Sequence, residues 1–227
     1  LWGKSIIQCA FNNTFSAFKF GLGMFGAFMD LAIILTIVIV IALFAIDPSA
    51  INLLNKPNPV LEVPPEAAWI MVWMSILVFG PVEEYLFRGF VFGGLMAIFG
   101  DRHWFVLAFA SSVLFASVHL YYGLVYGLAS LVMFTILIAL GMAMAATYYL
   151  SHGNLLVPAL IHGMYDATGF LTIAMSVETG IFLREAMIGI GTIVAISLFI
   201  QTIHQRSRAQ VKMLRPKFCI YCGQRLP

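Results

Sequence analysis

Glu83 and Glu84, followed by Arg88, lie inside an apolar stretch from Ala67 to Phe99 that otherwise reads as a membrane-spanning helix. A charged side chain at the centre of such a helix costs about 3 kcal/mol on insertion scales, so the three together cost roughly 8 to 10 kcal/mol. That rivals a whole domain's net stability of about 5 to 15 kcal/mol. Residues of this kind persist when they pair, hydrate or do chemistry. Neighbours on a helix point about 100° apart, so Glu83 and Glu84 occupy different faces, whereas Glu84 and Arg88 at i,i+4 share one. The spacing predicts one tied carboxylate, Glu84, and one free carboxylate, Glu83.

Two further segments carry ionisable groups at the same interval. Phe115-Ala-Ser-Val-His119 puts an aromatic ring and an imidazole on one face, and His162-Gly-Met-Tyr-Asp166 does the same for an imidazole and a carboxylate. Three helices thus present polar groups to a common interior. A lone intramembrane histidine is usually a core residue bonded to a carbonyl. Two histidines with three carboxylates and an arginine point instead to a site. His103, His152 and His204 sit at loop or helix ends, where snorkelling to the interface accounts for them.

The elements that must position these groups follow from composition. With 62% apolar and 10% charged residues, the chain has too little polar surface for a soluble globule. The expected fold class is all-α, a polytopic membrane protein with about six transmembrane helices around a polar intramembrane cavity. Spans are read at Gly21–Ile46, Ala67–Phe99, Trp104–His119, Leu124–Leu150, Leu155–Met175 and Ala186–His204. Ala67–Phe99 is longer than a bilayer core requires, and Gly80-Pro81 just before the glutamates predicts a kink or break there. Trp104–His119 is short for a crossing, so His119 is expected to end a helix inside the membrane. Near Leu1 there is no basic region leading into a short apolar run and cleavage site, so no signal peptide is expected.

Six spans place Lys4, Lys19, Arg102 and the tail residues Arg206, Arg208, Lys212, Arg215, Lys217 and Arg225 on one side, against Lys56 and Arg184 on the other. Both termini are therefore expected in the cytoplasm. The connection Asp47 to Glu66, rich in Pro and Asn, suits the exterior. The basic tail sets topology and touches anionic headgroups. The expected organisation is an N-terminal interfacial segment over 1–20, a membrane-embedded domain over 21–204 with its motif core at 67–175, and a cytoplasmic tail over 205–227.

Glu83-Glu84-x-x-x-Arg88 with Phe87 and Gly89 flanking the arginine, then Phe115-x-x-x-His119, then Asn154-x-x-x-Pro158-x-x-x-His162-x-x-x-Asp166, resembles the CAAX prenyl protease and bacteriocin-processing (CPBP, or ABI) family. The resemblance covers about Ala67 to Met175. It implies an all-α intramembrane protease, a family that includes the type II CAAX endopeptidases, which remove the last three residues from prenylated proteins. It also implies roles: Glu83 activates the attacking water with His119, while His162 and Asp166 hold the water or the developing oxyanion. The family pattern often has Asn where this chain has Asp166. An ionised Asp only accepts hydrogen bonds, so donation from that position requires a protonated carboxyl. Glu84, with Arg88 on its own face, is expected to position Arg88 or the neighbouring backbone. The Gly89-x-x-x-Gly93 spacing would let helices approach closely.

Other readings stay open on the sequence alone. His119, His162 and a carboxylate form a ligand set for catalytic zinc, although no His-Glu-x-x-His helix is present. A non-enzymatic scaffold or a transporter could also use buried acids and histidines, although no internal repeat favours the latter. No cofactor is expected to be required for catalysis in the protease reading. Cys219-x-x-Cys222-Gly223 resembles one knuckle of a zinc ribbon, half of a four-ligand site, with Cys9 remote; two reduced thiols of no particular role are the alternative. Expected partners are membrane lipids and a peptide or protein substrate, including one lipidated at its C-terminus, and no nucleic acid.

Overall fold

A computed structural model describes residues 14–49, 52, 56 and 58–214, with side chains described as far as Gln205. Regular structure among the described residues is helical throughout. Helix α1 spans Thr14–Ile46, α2 is the long composite Pro65–Phe99, α3 spans Trp104–Ser117, α4 Tyr121–Tyr126, α5 Ser130–Leu150, α6 Leu156–Ala174 and α7 Val177–Leu214. Short 3₁₀ turns, Pro59–Leu61, Asp101–His103 and Gly127–Ala129, link some of them.

Four segments are long and apolar enough to cross a bilayer: Thr14–Ile46, Pro65–Phe99, Tyr121–Leu150 and Val177–Gln205. Their outward faces carry large apolar side chains such as Ile34, Ile41, Leu77, Phe90, Ile193 and Phe199. In water that surface would drive aggregation, and in lipid it is the solvated face. The protein is an integral membrane protein. Two of the six expected spans fall outside this group. Helix α3 has 14 residues, about 21 Å, against a hydrocarbon core of about 30 Å. Helix α6 has 19 residues, but its apolar run is broken by His162 and Asp166.

Element boundaries depart from the sequence expectation in a few places. The first helix is continuous from Thr14. The expected Leu124–Leu150 span is divided at Gly127, whose φ of +53° suits glycine, so the short α4 precedes α5. Helix α7 begins at Val177, earlier than the expected Ala186. It takes in Arg184, whose Nε–H donates to Thr168 Oγ1 at 3.1 Å and whose guanidinium lies over the Tyr165 ring at 5.5 Å. A partnered arginine is a good helix former, so the helix does not stop there.

The core sits where α1, α5, α6 and α7 meet, around Phe25, Met29, Leu140, Met144, Val157 and Ile161. A second cluster, Phe92, Ala108, Met142 and Ala145, joins α2, α3 and α5. Helices α1 and α7 cross at Gly26 and Gly191, where a side-chain carbon on Gly26 would fall 2.2 Å from the Gly191 carbonyl carbon. Such contact, without a hydrophobic driving force between helices in lipid, rests on close van der Waals packing.

The expected break at Gly80-Pro81 takes a specific form. Helix α2 is α-helical over Pro65–Met74, Gly80–Glu84 and Gly93–Phe99, and wound as π-helix over Ser75–Phe79 and Tyr85–Phe92. The Gly80 N–H bonds the carbonyl of Ser75, five residues back, and the Gly93 N–H that of Arg88. Proline has no N–H to continue the regular ladder, which is one reason for a wider turn immediately before it. The glutamates lie between the two π turns.

Candidate active site

Helices α2, α3 and α6 bring their polar residues together. Glu84 and Arg88 are both fully buried, with Arg88 Nη1 2.9 Å from Glu84 Oε1. The same Oε1 accepts from His162 Nδ1 on α6 at 2.6 Å. One carboxylate oxygen thus holds a guanidinium from its own helix and an imidazole from another. Arg88 also lies over the ring of Phe115 on α3, 4.8 Å from its centroid. Glu84 Oε2 and Arg88 Nε and Nη2 are buried with no hydrogen-bond partner among the described residues.

The opposite nitrogen of His162 faces the other two acids. Nε2 is 3.3 Å from Asp166 Oδ2 and 3.6 Å from Glu83 Oε2. Glu83 and Glu84 point in different directions, as helix geometry requires, yet they reach the same imidazole from its two ends. His162 is buried, whereas the Glu83 side chain is 34% exposed and Asp166 37%. With Nδ1–H donated to Glu84, Nε2 stands 3.3 Å from the Asp166 oxygen, so a proton carried by either group is shared within this contact. Glu83 is beyond hydrogen-bond distance of that imidazole.

His119 lies two residues past the end of α3, in a turn held by its own N–H to Ala116 O at 3.0 Å. Its Nδ1 contacts the Phe115 carbonyl at 3.1 Å. A carbonyl only accepts, so this contact fixes a proton on Nδ1, and in the neutral imidazole Nε2 is then the acceptor. The Phe115 ring is the common neighbour: it meets His119 at 5.2 Å, His162 at 5.5 Å and Phe87 at 5.3 Å, each edge to face. Both imidazoles therefore flank one buried ring.

Two backbone features set this geometry. Asn154 caps the start of α6 by accepting from Val157 N at 3.1 Å, and Pro158 follows in the first turn. The decisive contact is between glycines. A side-chain carbon on Gly163 would lie 2.5 Å from the Ser75 carbonyl oxygen, and one on Gly80 would lie 2.7 Å from the Ala159 carbonyl oxygen. Only two glycines let α6 lie flat on α2 here, and His162 is the residue beside Gly163. The expected Gly89 and Gly93 do not make this contact. A side-chain carbon on Gly89 would meet the Leu155 side chain at 3.3 Å, and one on Gly93 the Arg88 carbonyl of its own helix at 3.3 Å and the Tyr148 hydroxyl at 3.4 Å, with no backbone of another helix in contact. Helix α3 is fastened to α2 by the Ser111 hydroxyl, which donates to the Phe87 carbonyl at 2.8 Å within the second π turn.

Sequence reasoning read Gly80 as part of a kink and not as a helix contact, and missed Gly163 and Ser111. Glycine beside a histidine and serine on an apolar helix are common, and nothing in the chain pairs them with partners 24 or more residues away. His103 ends the 3₁₀ turn before α3 and His152 lies in the turn after α5, as expected, whereas His204 lies inside α7, which continues past it to Leu214. Among the described residues no group of three His, Cys, Asp or Glu side chains is arranged to hold a metal. Cys9, Cys219 and Cys222, and with the latter two the half zinc knuckle, fall outside the described residues.

In comparison with protein families, residues 65–168 match the family described as Rce1-like, type II CAAX prenyl endopeptidase Rce1-like. The match begins at the first residue of α2 and ends inside α6, so it contains every residue of the cluster above. No curated protein and no solved structure matches the chain.

Proposed function

Because residues 65–168 match the Rce1-like type II CAAX prenyl endopeptidase family, and the motifs resemble the CPBP family, we propose that the protein hydrolyses a peptide bond close to the membrane with a water activated by Glu83. The family match supports reading it as a CAAX-protease-like intramembrane peptidase. The glutamate mechanism rests on one observation. Of three carboxylates around His162, Glu84 is tied to Arg88 and the imidazole and Asp166 lies at Nε2, while Glu83 stands clear at 3.6 Å and a third exposed.

In this reading Glu83 takes a proton from water, and the oxygen attacks the scissile carbonyl carbon. His119, through its Nε2, holds the same water. A proton on His162 Nε2 or on the Asp166 carboxyl is donated as a hydrogen bond to the oxyanion, which answers the need for a donor where the family often has Asn. Glu83 then returns its proton to the leaving amine as the C–N bond breaks. Glu84 and Arg88 hold His162 in register and do not touch substrate. The cluster needs no metal in this mechanism, and both nitrogens of His162 already face this chain's own carboxylates. The substrate is a peptide tail at the membrane, with a prenylated C-terminus as the family implies, and both chain termini are cytoplasmic.

The test is cleavage by the purified protein in detergent of a farnesylated peptide and of its unprenylated counterpart, with the released tripeptide identified by mass spectrometry. Glu83→Gln should lower kcat by about 10²- to 10⁴-fold, the range of a positioned general base. Full activity in Glu83→Gln removes the mechanism. Cleavage of neither peptide by the wild-type protein removes the peptidase reading, and equal cleavage of both removes prenyl selectivity. Abolition of activity by a chelator, restored by zinc, would replace the mechanism with a metalloprotease one.

A further inference from the structure

His119 differs from the other members of the cluster in how it is held. Glu83, Glu84, Arg88, His162 and Asp166 project from continuous helix, whereas His119 lies in the turn between Ser117 and Tyr121. Its backbone is restrained by single turn bonds, His119 N to Ala116 O and Tyr122 N to His119 O, each 3.0 Å. The orientation of the imidazole is therefore left to what packs around it. On one side is Phe115, buried and fixed by Arg88, Phe87 and His162. The imidazole's other aromatic neighbours are the tyrosines of α4. The Tyr122 ring lies nearly parallel to the imidazole, 6.2 Å between centroids at 12°, and Tyr121 meets it at 6.0 Å and 42°.

Tyr122 is itself anchored from outside the motif segment. Asn58, in the connection between α1 and α2, donates from Nδ2 to the Tyr122 hydroxyl at 3.4 Å. The amide cannot be turned round, because its Oδ1 accepts from Val60 N at 3.1 Å and an NH₂ there would face another donor. The Tyr122 ring also packs on Tyr126, 5.9 Å away and buried. Two more contacts join the same pieces of chain, Lys56 Nζ to Val125 O at 3.4 Å and the Tyr126 hydroxyl to Lys56 O at 3.5 Å.

We infer that Tyr122 is a positioning residue for His119, and that Asn58 of the interhelical connection holds Tyr122 in that role. The inference deepens the proposed function and rests on it for its effect on rate. The phenol ring joins Phe115 and Tyr121 as an aromatic neighbour of the imidazole, and this packing holds the imidazole at the Phe115 carbonyl. Nδ1–H stays engaged there, and Nε2 stays an acceptor turned away from that carbonyl. A segment outside the helical motifs thereby sets the tautomer of a catalytic histidine.

The chain has five histidines, which makes the imidazoles directly observable in histidine-labelled protein by nitrogen NMR, with His119 assigned by its disappearance in His119→Gln. The wild-type protein should show His119 as a single Nδ1–H tautomer. In Tyr122→Leu its two ring-nitrogen signals should move toward averaged positions while those of His162 stay, and kcat should fall about 10- to 100-fold with KM within twofold, as expected of misorientation. Tyr122→Phe, which keeps the ring but loses the hydroxyl that accepts from Asn58, should behave as Asn58→Ala does, with the His119 signals moving by less than in Tyr122→Leu. If Tyr122→Leu does not fold, Asn58→Ala carries the test, with the same His119 signals moving in the same direction by less. Unmoved His119 signals in Tyr122→Leu or, where that variant does not fold, in Asn58→Ala overturn the inference whatever the activity does. Moved signals in a protein whose wild type cleaves neither peptide leave Tyr122 as the positioner of His119 and count against the peptidase reading alone.

Discussion

Gly163→Ala tests whether the contact of α6 on α2 governs catalysis. The added carbon would fall 2.5 Å from the Ser75 carbonyl oxygen and 2.7 Å from Ile76 Cα, both backbone atoms that no rotamer change can move. Ordinary contact begins near 3.4 Å, so the two helices must part by about 0.9 Å. His162, the preceding residue, moves with α6, away from Glu84 at 2.6 Å and Glu83 at 3.6 Å. A shift of that size in a catalytic constellation costs about 10- to 100-fold in kcat. Overpacking costs about 1 to 3 kcal/mol, offset in part by the 0.5 to 1 kcal/mol that alanine gains over glycine in a helix. Gly94→Ala is the matched control, because its added carbon meets nothing within 4 Å. Cleavage of a farnesylated peptide and thermal melts in detergent read both effects. Gly163→Ala with the kcat and Tm of Gly94→Ala would refute the argument that backbone approach positions His162.

Glu84→Gln should unfold earlier than Glu83→Gln: it strands the buried Arg88, a loss of about 3 to 5 kcal/mol, while Glu83 leaves no paired charge behind, and melts of the two variants in detergent compare them. Ser111→Ala should lower Tm modestly, by the roughly 1 kcal/mol of a hydrogen bond to the Phe87 carbonyl, with kcat reduced less than in Gly163→Ala. Chelator treatment should leave cleavage unchanged, with metal analysis of the purified protein as the companion measurement. Reporter fusions at Ser207 and Asn55 should report cytoplasm and exterior respectively; the same side for both would refute the six-span topology.

What the sequence determined by itself is what helix periodicity and solvent determine. The apolar lengths made a membrane protein, because no soluble surface could be assembled from 10% charged residues. The interval i,i+4 put Glu84 beside Arg88 and His162 beside Asp166, because that spacing returns to the same face of any α-helix. Three ordered motifs pointed to the family that the 65–168 match carries. Only the tertiary structure decided that one imidazole stands among three carboxylates, with Glu84 at one nitrogen and Glu83 and Asp166 at the other. That arrangement depends on two glycine backbones meeting 83 positions apart, on π turns that re-aim the glutamate helix, and on Phe115 wedged between two histidines. Periodicity is a property of one helix, whereas the choice of which helices touch, and at which residue, belongs to the packing of all of them.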